Sequence, residues 1–111
     1  MVKGKHAEVV LTNKNYLAEV KTRNHFLTID QPTTSGGGDN GPTPVEYLLS
    51  AIGGCVAITL RVYAEKKGWN VGKIAVNVTQ KEVLTQEGVK KWLEEEISFE
   101  NKITEEQERR L

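Results

Sequence analysis

The sequence predicts an α+β fold in which antiparallel sheet packs on one long helix. Three observations carry this reading. Residues 43–69 hold the only long run of apolar residues at helical spacing. The segments on both sides alternate apolar and polar residues as strands do. A glycine-rich connection, residues 31–42, separates the first strands from the helix.

At 111 residues the chain is read as one domain, able to bury roughly two-thirds of its unfolded surface. Lys+Arg and Asp+Glu are 15 each, so no basic excess calls for nucleic acid or an anionic membrane as partner. Residues 1–30 contain no apolar run long enough for a signal peptide or a spanning helix. A single cysteine forms no intrachain disulfide, which makes a cytoplasmic setting the default expectation.

Residues 6–11 read as a strand, Asn13-Lys14-Asn15 as a turn, and Tyr16 to Lys21 as the returning strand. Arg23-Asn24 turns the chain again into a third strand, His25 to Asp30. His6 and His25 have no Cys, His or carboxylate at ligand spacing, so they read as ordinary strand or surface residues and no metal is expected. In residues 31–42 four of twelve positions are glycine, which argues against regular structure there. The segment reads either as a mobile or tightly turned loop bordering a site at the helix start, or as a plain crossover. It has no Gly-Lys-Ser/Thr ending, so it is not a nucleotide-binding P-loop.

Thr43 to Trp69 is the long helix. Thr43 caps it, Pro44 suits its first position, and Glu46 completes a capping box. Lys66 and Lys67 place cations at its negative end, where Gly68 closes it. One apolar row runs through Val45, Leu48, Leu49, Ile52, Val56, Thr59, Leu60 and Tyr63. A second runs through Ala51, Cys55, Ile58 and Val62. A helix apolar over most of its girth needs cover on more than one side.

Beyond the helix, Lys73 to Val83 alternates, with Ile74, Val76 and Val78 on one face. Thr85-Gln86-Glu87-Gly88 turns into a return strand carrying Leu93, Ile97 and Phe99, with Trp92 packed near the turn. Thr104 to Leu111 reads as a helix start, capped by Thr104 with Gln107. Its one apolar residue is Leu111, so it is expected to continue or to be held by a partner chain. The second apolar row of the long helix has no evident cover within 111 residues, and a homodimer is therefore expected.

Cys55 is the candidate nucleophile. A lone cysteine inside a helix is commonly a small apolar core residue, and the fourth turn is too far from the helix N-terminus for the dipole to lower its pKa. Gly53-Gly54 just before it weighs the other way. Each glycine costs the helix roughly 0.5–1 kcal/mol relative to alanine, so close approach of another backbone, or room for a substrate beside the sulfur, must offset it. On these grounds a packed cysteine and a reactive thiol stand level. Glu46 is the second candidate, with the capping box as its plainer role. Nine residues from Cys55, it lies on the opposite face and about 13–14 Å along the axis, so contact needs a partner subunit or a break at Gly53-Gly54.

Residues 36–69, GGGDNGPTPVEYLLSAIGGCVAITLRVYAEKKGW, closely resemble the OsmC/Ohr family of osmotically inducible and organic hydroperoxide resistance proteins. The motifs are Pro-x-Glu, then Leu-Leu-x-Ala-x-Gly-x-Cys, then Thr-Leu-Arg-x-Tyr-Ala-x-x-Lys-Gly-Trp. The resemblance extends loosely over the whole chain, a single OsmC-like domain at 1–111. It implies an intertwined α+β homodimer with interface sites and thiol-dependent reduction of organic hydroperoxides, with no metal, haem or other cofactor. Cys55 matches the peroxidatic position, Glu46 of the Pro-x-Glu motif is the second candidate catalytic residue, and an external thiol is the implied reductant.

Three departures accompany the match. The family's second, resolving cysteine lies in a second helix beyond Leu111, so the chain is expected to lack the family's C-terminal helix and strand. The hydroperoxide-resistance branch has glutamate directly after the proline, where Val45 stands here. That branch also activates its thiolate with an arginine from the N-terminal strands, for which Lys14 is nearest and Arg23 the only arginine. The leading expectation is thus an OsmC-like peroxidase impaired in turnover. The alternative is a non-catalytic dimer binding a small hydrophobic molecule at its interface, and a merely structural dimer ranks third.

Overall fold

The computed structural model describes residues 4–101 and Arg110. The chain forms two compact units, Met1–Tyr47 and Leu48–Leu111, and the long helix begins in the first and continues through the second. The helix expected over Thr104 to Leu111 lies outside the described residues, Arg110 apart.

In the first unit β1 (Glu8–Leu11), β2 (Ala18–Thr22) and β3 (His25–Ile29) form an antiparallel sheet in that order. The register aligns Val9, Val20 and Leu27 across it, then Leu11, Ala18 and Ile29, so apolar residues share one face. Ala18 and Val20 are buried on that face. On the other face Phe26 is exposed and the Lys21 ammonium lies 5.8 Å from its ring centre. Tyr16, expected in the returning strand, instead belongs to the connection. There Thr12 grips Leu17 through both its backbone N–H and its hydroxyl, each 2.8 Å from the Leu17 carbonyl, and the ladder resumes only at Ala18. Arg23 turns β2 into β3 at φ +53°, with Nη2 3.2 Å from His25 Nε2.

The glycine-rich connection is tightly built. Contrary to the sequence reading it contains a regular piece, a single 3-10 turn at Thr33–Ser35, closed by Gly36 in the left-handed region at φ +88°. Pro32 starts that turn, and its carbonyl accepts from the N–H groups of Ser35 and Gly37 at 2.9 and 3.1 Å. A β-carbon on Gly37 would fall on the Gln31 carbonyl and 2.8 Å from Asp30 Oδ1. The glycines are there for close packing, not mobility.

In the second unit α1 (Pro44–Lys67) is followed by β4 (Ile74–Thr85) and β5 (Gly88–Phe99), an antiparallel hairpin separate from the first sheet. Gly68 ends the helix at φ +72° as expected. Trp69 meets Tyr63 edge-on at 5.8 Å, and Val71 is buried beside the entry to β4. Backbone bonds from Glu100 to Lys73 and from Asn101 to Val71 clamp the open end of the hairpin. Ile74, Val76, Ile97 and Phe99 share one face, yet Val78 pairs with Glu95 and Gln80 with Leu93, so the apolar face fades toward the tip. Trp92 sits opposite Lys81, away from the turn, and is 42% exposed. Its indole donates to Glu94 Oε1 at 3.0 Å and Lys81 pairs with Glu94 at 2.9 Å; the indole first and then Lys81 hold that carboxyl below its ordinary pKa.

The Gly37 geometry gives a direct test. Gly37→Ala forces the loop to shift, and overpacking of this kind costs about 1–3 kcal/mol. A fall in the urea midpoint is expected; an unchanged midpoint would mean that the loop is not packed as described.

Candidate active site around Cys55

α1 is unbroken through Gly53-Gly54. Cys55 is in its middle and exposed. Among the described residues of α1 only Leu60 and Ala64 are buried, so the second apolar row lacks cover here, as expected, and the first row is covered less than expected. Even Val45 and Leu48, from the row expected against the sheet, are 44% and 58% exposed. Leu48, Ala51, Cys55, Ile58 and Val62 follow 3-4-3-4 spacing and all face solvent, with Ile58 68% exposed. Cys55 is the central member of this open seam.

The two glycines before Cys55 differ. A β-carbon on Gly53 would stand 3.4 Å from Val78 Cγ2 and 3.7 Å from the Val76 carbonyl oxygen. These are ordinary van der Waals distances, so β4 lies beside the helix at Gly53 without requiring a glycine there. A β-carbon on Gly54 would meet nothing within 4 Å. A shallow groove of about 260 Å³ runs past both, lined by Leu49, Ser50, Gly53, Gly54, Val76 and Val78 among others. By length and composition alone α1 could cross a membrane, and at Gly53 it lies against β4.

Glu46 takes the capping role. Its Oε1 accepts from the Thr43 N–H at 2.9 Å, and its own N–H donates to Thr43 Oγ1 at 3.2 Å, a reciprocal capping box. Since α1 does not break, Glu46 and Cys55 of one chain stay on opposite helix faces. Lys14 and Arg23, the candidate activating cations, both lie at hairpin turns of the first unit.

Sequence reasoning missed Asp30. It follows β3 directly and is 1% exposed. Its carboxylate accepts from the Gln31 N–H at 2.7 Å, the Gly38 N–H at 3.3 Å, and both the backbone N–H and the Nδ2 of Asn40 at 3.0 Å. The Asn40 backbone bond first, then that from Gln31, hold its pKa below the ordinary carboxylate value. Thr28 Oγ1 donates to the Asn40 carbonyl, and Tyr47 on the first turn of α1 donates to the Thr28 carbonyl at 2.7 Å. The loop that delivers the helix cap is thus tied to β3 at several points. An Asp closing a strand ahead of a Gly- and Asn-rich segment was the available signal.

A family model for OsmC-like proteins matches residues 36–111, about two-thirds of the chain and all of α1. The chain belongs to the OsmC-like family. Solved structures of similar fold include an osmotic-stress-induced and detoxification-response protein of Psychrobacter arcticus 273-4, at TM-score 0.78 and 12% identity, covering 97% of this chain and 80% of that one. An organic hydroperoxide resistance protein of Legionella pneumophila matches at TM-score 0.68 and 15% identity, over 98% and 80% of the two chains. An OsmC-like protein of Mycoplasma pneumoniae matches at TM-score 0.72 and 22% identity, over 99% and 78%. No curated protein matches the chain in sequence. At these identities the structures establish the OsmC-like fold.

The capping box is separable from any chemistry of Glu46. Thr43→Ala is expected to cost about 0.5–2 kcal/mol in urea unfolding. Glu46→Gln keeps an acceptor for the Thr43 N–H and loses only the charge at the positive helix end, about 0.3–1 kcal/mol. Both variants matching the parent in stability would show that the box does not hold α1.

Proposed function

We propose that this OsmC-like protein is a thiol peroxidase that reduces organic hydroperoxides through Cys55. The observation that carries the reading is the exposed position of the chain's only cysteine at the centre of an apolar seam, inside the region matched by the family model. The Cys55 thiolate attacks one oxygen of the hydroperoxide, the O–O bond breaks, and the alkoxide leaves to be protonated as the alcohol. The sulfur is oxidised to a sulfenic acid as the peroxide is reduced. Ala51 and Ile58, one turn to either side of Cys55 on the same exposed face, favour an alkyl-bearing peroxide over hydrogen peroxide.

The same seam supports a homodimer, since a second copy laid on it removes the exposed apolar surface of α1 from water. Glu46 is proposed to act on the partner's thiol, because within one unbroken helix it stands about 13–14 Å from Cys55. With one cysteine in these 111 residues, the sulfenic acid awaits an external thiol. That thiol condenses with it to a mixed disulfide, releasing water, and a second thiol restores Cys55.

Without added thiol the chain is expected to consume about one cumene hydroperoxide per Cys55. Cys55→Ser is expected to abolish that burst. Many turnovers without thiol, or a burst that survives Cys55→Ser, would refute the mechanism. No consumption at all would favour a dimer that binds a small hydrophobic molecule.

Mixing chains tests the shared site. Glu46→Gln is expected to slow the burst about tenfold or more. Co-refolding it with Cys55→Ser chains restores one complete site per mixed dimer and with it a fast phase. Absence of that phase in a sample that sediments as a dimer would remove Glu46 from the chemistry.

A further inference from the structure

Asp30 takes no part in the proposed chemistry, yet it holds the chain's only Asn-Gly pair, Asn40-Gly41. Asparagine before glycine is prone to deamidation, because no side chain obstructs the following backbone nitrogen as it approaches the amide carbon. The Gly41 nitrogen loses its proton to base and bonds to Asn40 Cγ. The Cγ–Nδ2 bond then breaks, and Nδ2 gains a proton and leaves as ammonia. Water opens the resulting succinimide on either side, giving aspartate or isoaspartate. No oxidant is needed, and water reaches the exposed Asn40.

The folded loop opposes each part of this motion. Asn40 Nδ2 and the Asn40 backbone N–H both donate to Asp30 Oδ2 at 3.0 Å, fixing the side chain that must swing toward Gly41. The Asn40 carbonyl accepts from Thr28 Oγ1 at 3.0 Å. Gly41 lies so close to β3 that a β-carbon would stand 2.5 Å from the Thr28 carbonyl oxygen.

We propose that Asn40-Gly41 is a latent deamidation site, which Asp30 and Thr28 keep unreactive while the loop is closed and whose reaction releases the loop one way. The product replaces the Nδ2 donor with a carboxylate facing Asp30 Oδ2. A hydrogen bond becomes a repulsion between like charges, and the isoaspartate product also adds a carbon to the backbone. The closed loop, still held at its exit by the bond from the Asp30 N–H to the Pro42 carbonyl, 3.2 Å, is thereby destabilised relative to the open one.

The test follows deamidation of the full chain by peptide mapping in warm, mildly alkaline buffer, beside a synthetic peptide of residues 36–43. The native chain is expected to react about tenfold or more slowly than the peptide, since reaction waits on local opening. Asp30→Asn is expected to recover most of the peptide rate. Thr28→Val, which removes a single hold, is expected to recover part of it and serves alone if Asp30→Asn fails to fold. A native rate equal to the peptide rate would overturn the proposal, as would native-like protection in the folded variants. Asn40→Asp is expected to lower the urea midpoint, and an unchanged midpoint would overturn the release.

Discussion

α1 has more apolar surface than the described residues cover, and that imbalance governs most of the structure's meaning. β4 lies beside the helix at Gly53. The face carrying Leu48, Ala51, Cys55, Ile58 and Val62 stays open to water. A seam of this regularity is costly to leave bare, so the candidate nucleophile lies on a surface that needs an occupant. The proposed dimer and the proposed apolar substrate both answer that one constraint. Gly54, with open space where its side chain would be, sits at the edge of the same face and is explained by nothing among the described residues.

The first unit answers a different need. A twelve-residue connection containing four glycines is expensive to order. One carboxylate at the end of β3 organises it by accepting four bonds, three of them from backbone N–H groups. The glycines then allow the chain to pack against Gln31, Asp30 and Thr28 at distances no other residue tolerates. The result is a fixed lead into the capping box, so that Thr43 and Glu46 start the helix at a defined place.

Much of this was legible in the sequence, because the signals were local. The capping box, Gly68, the strand alternation and the Gln86-Glu87 turn each depend on a few neighbouring residues, and each appears where it was read. The family was also legible, through the motifs between Gly36 and Trp69. What escaped depended on distance in sequence. Asp30 gains its meaning from Gly38 and Asn40, and the glycines left a mobile and a tightly turned loop both open because composition does not report what they pack against. The exposure of Val45 and Leu48 escaped because periodicity shows that a face is apolar, not what covers it. The surroundings of Gly53 and Gly54, identical as letters, separate only once β4 is placed.

The account turns on whether the sulfur in the open seam is a peroxide-reactive nucleophile. The most direct measurement is trapping with dimedone after one equivalent of cumene hydroperoxide, followed by peptide mass analysis. The account gives a dimedone adduct on Cys55 in most chains, with hydrogen peroxide labelling more slowly. An unmodified Cys55 thiol after excess organic hydroperoxide, in protein that is folded and dimeric, would contradict it.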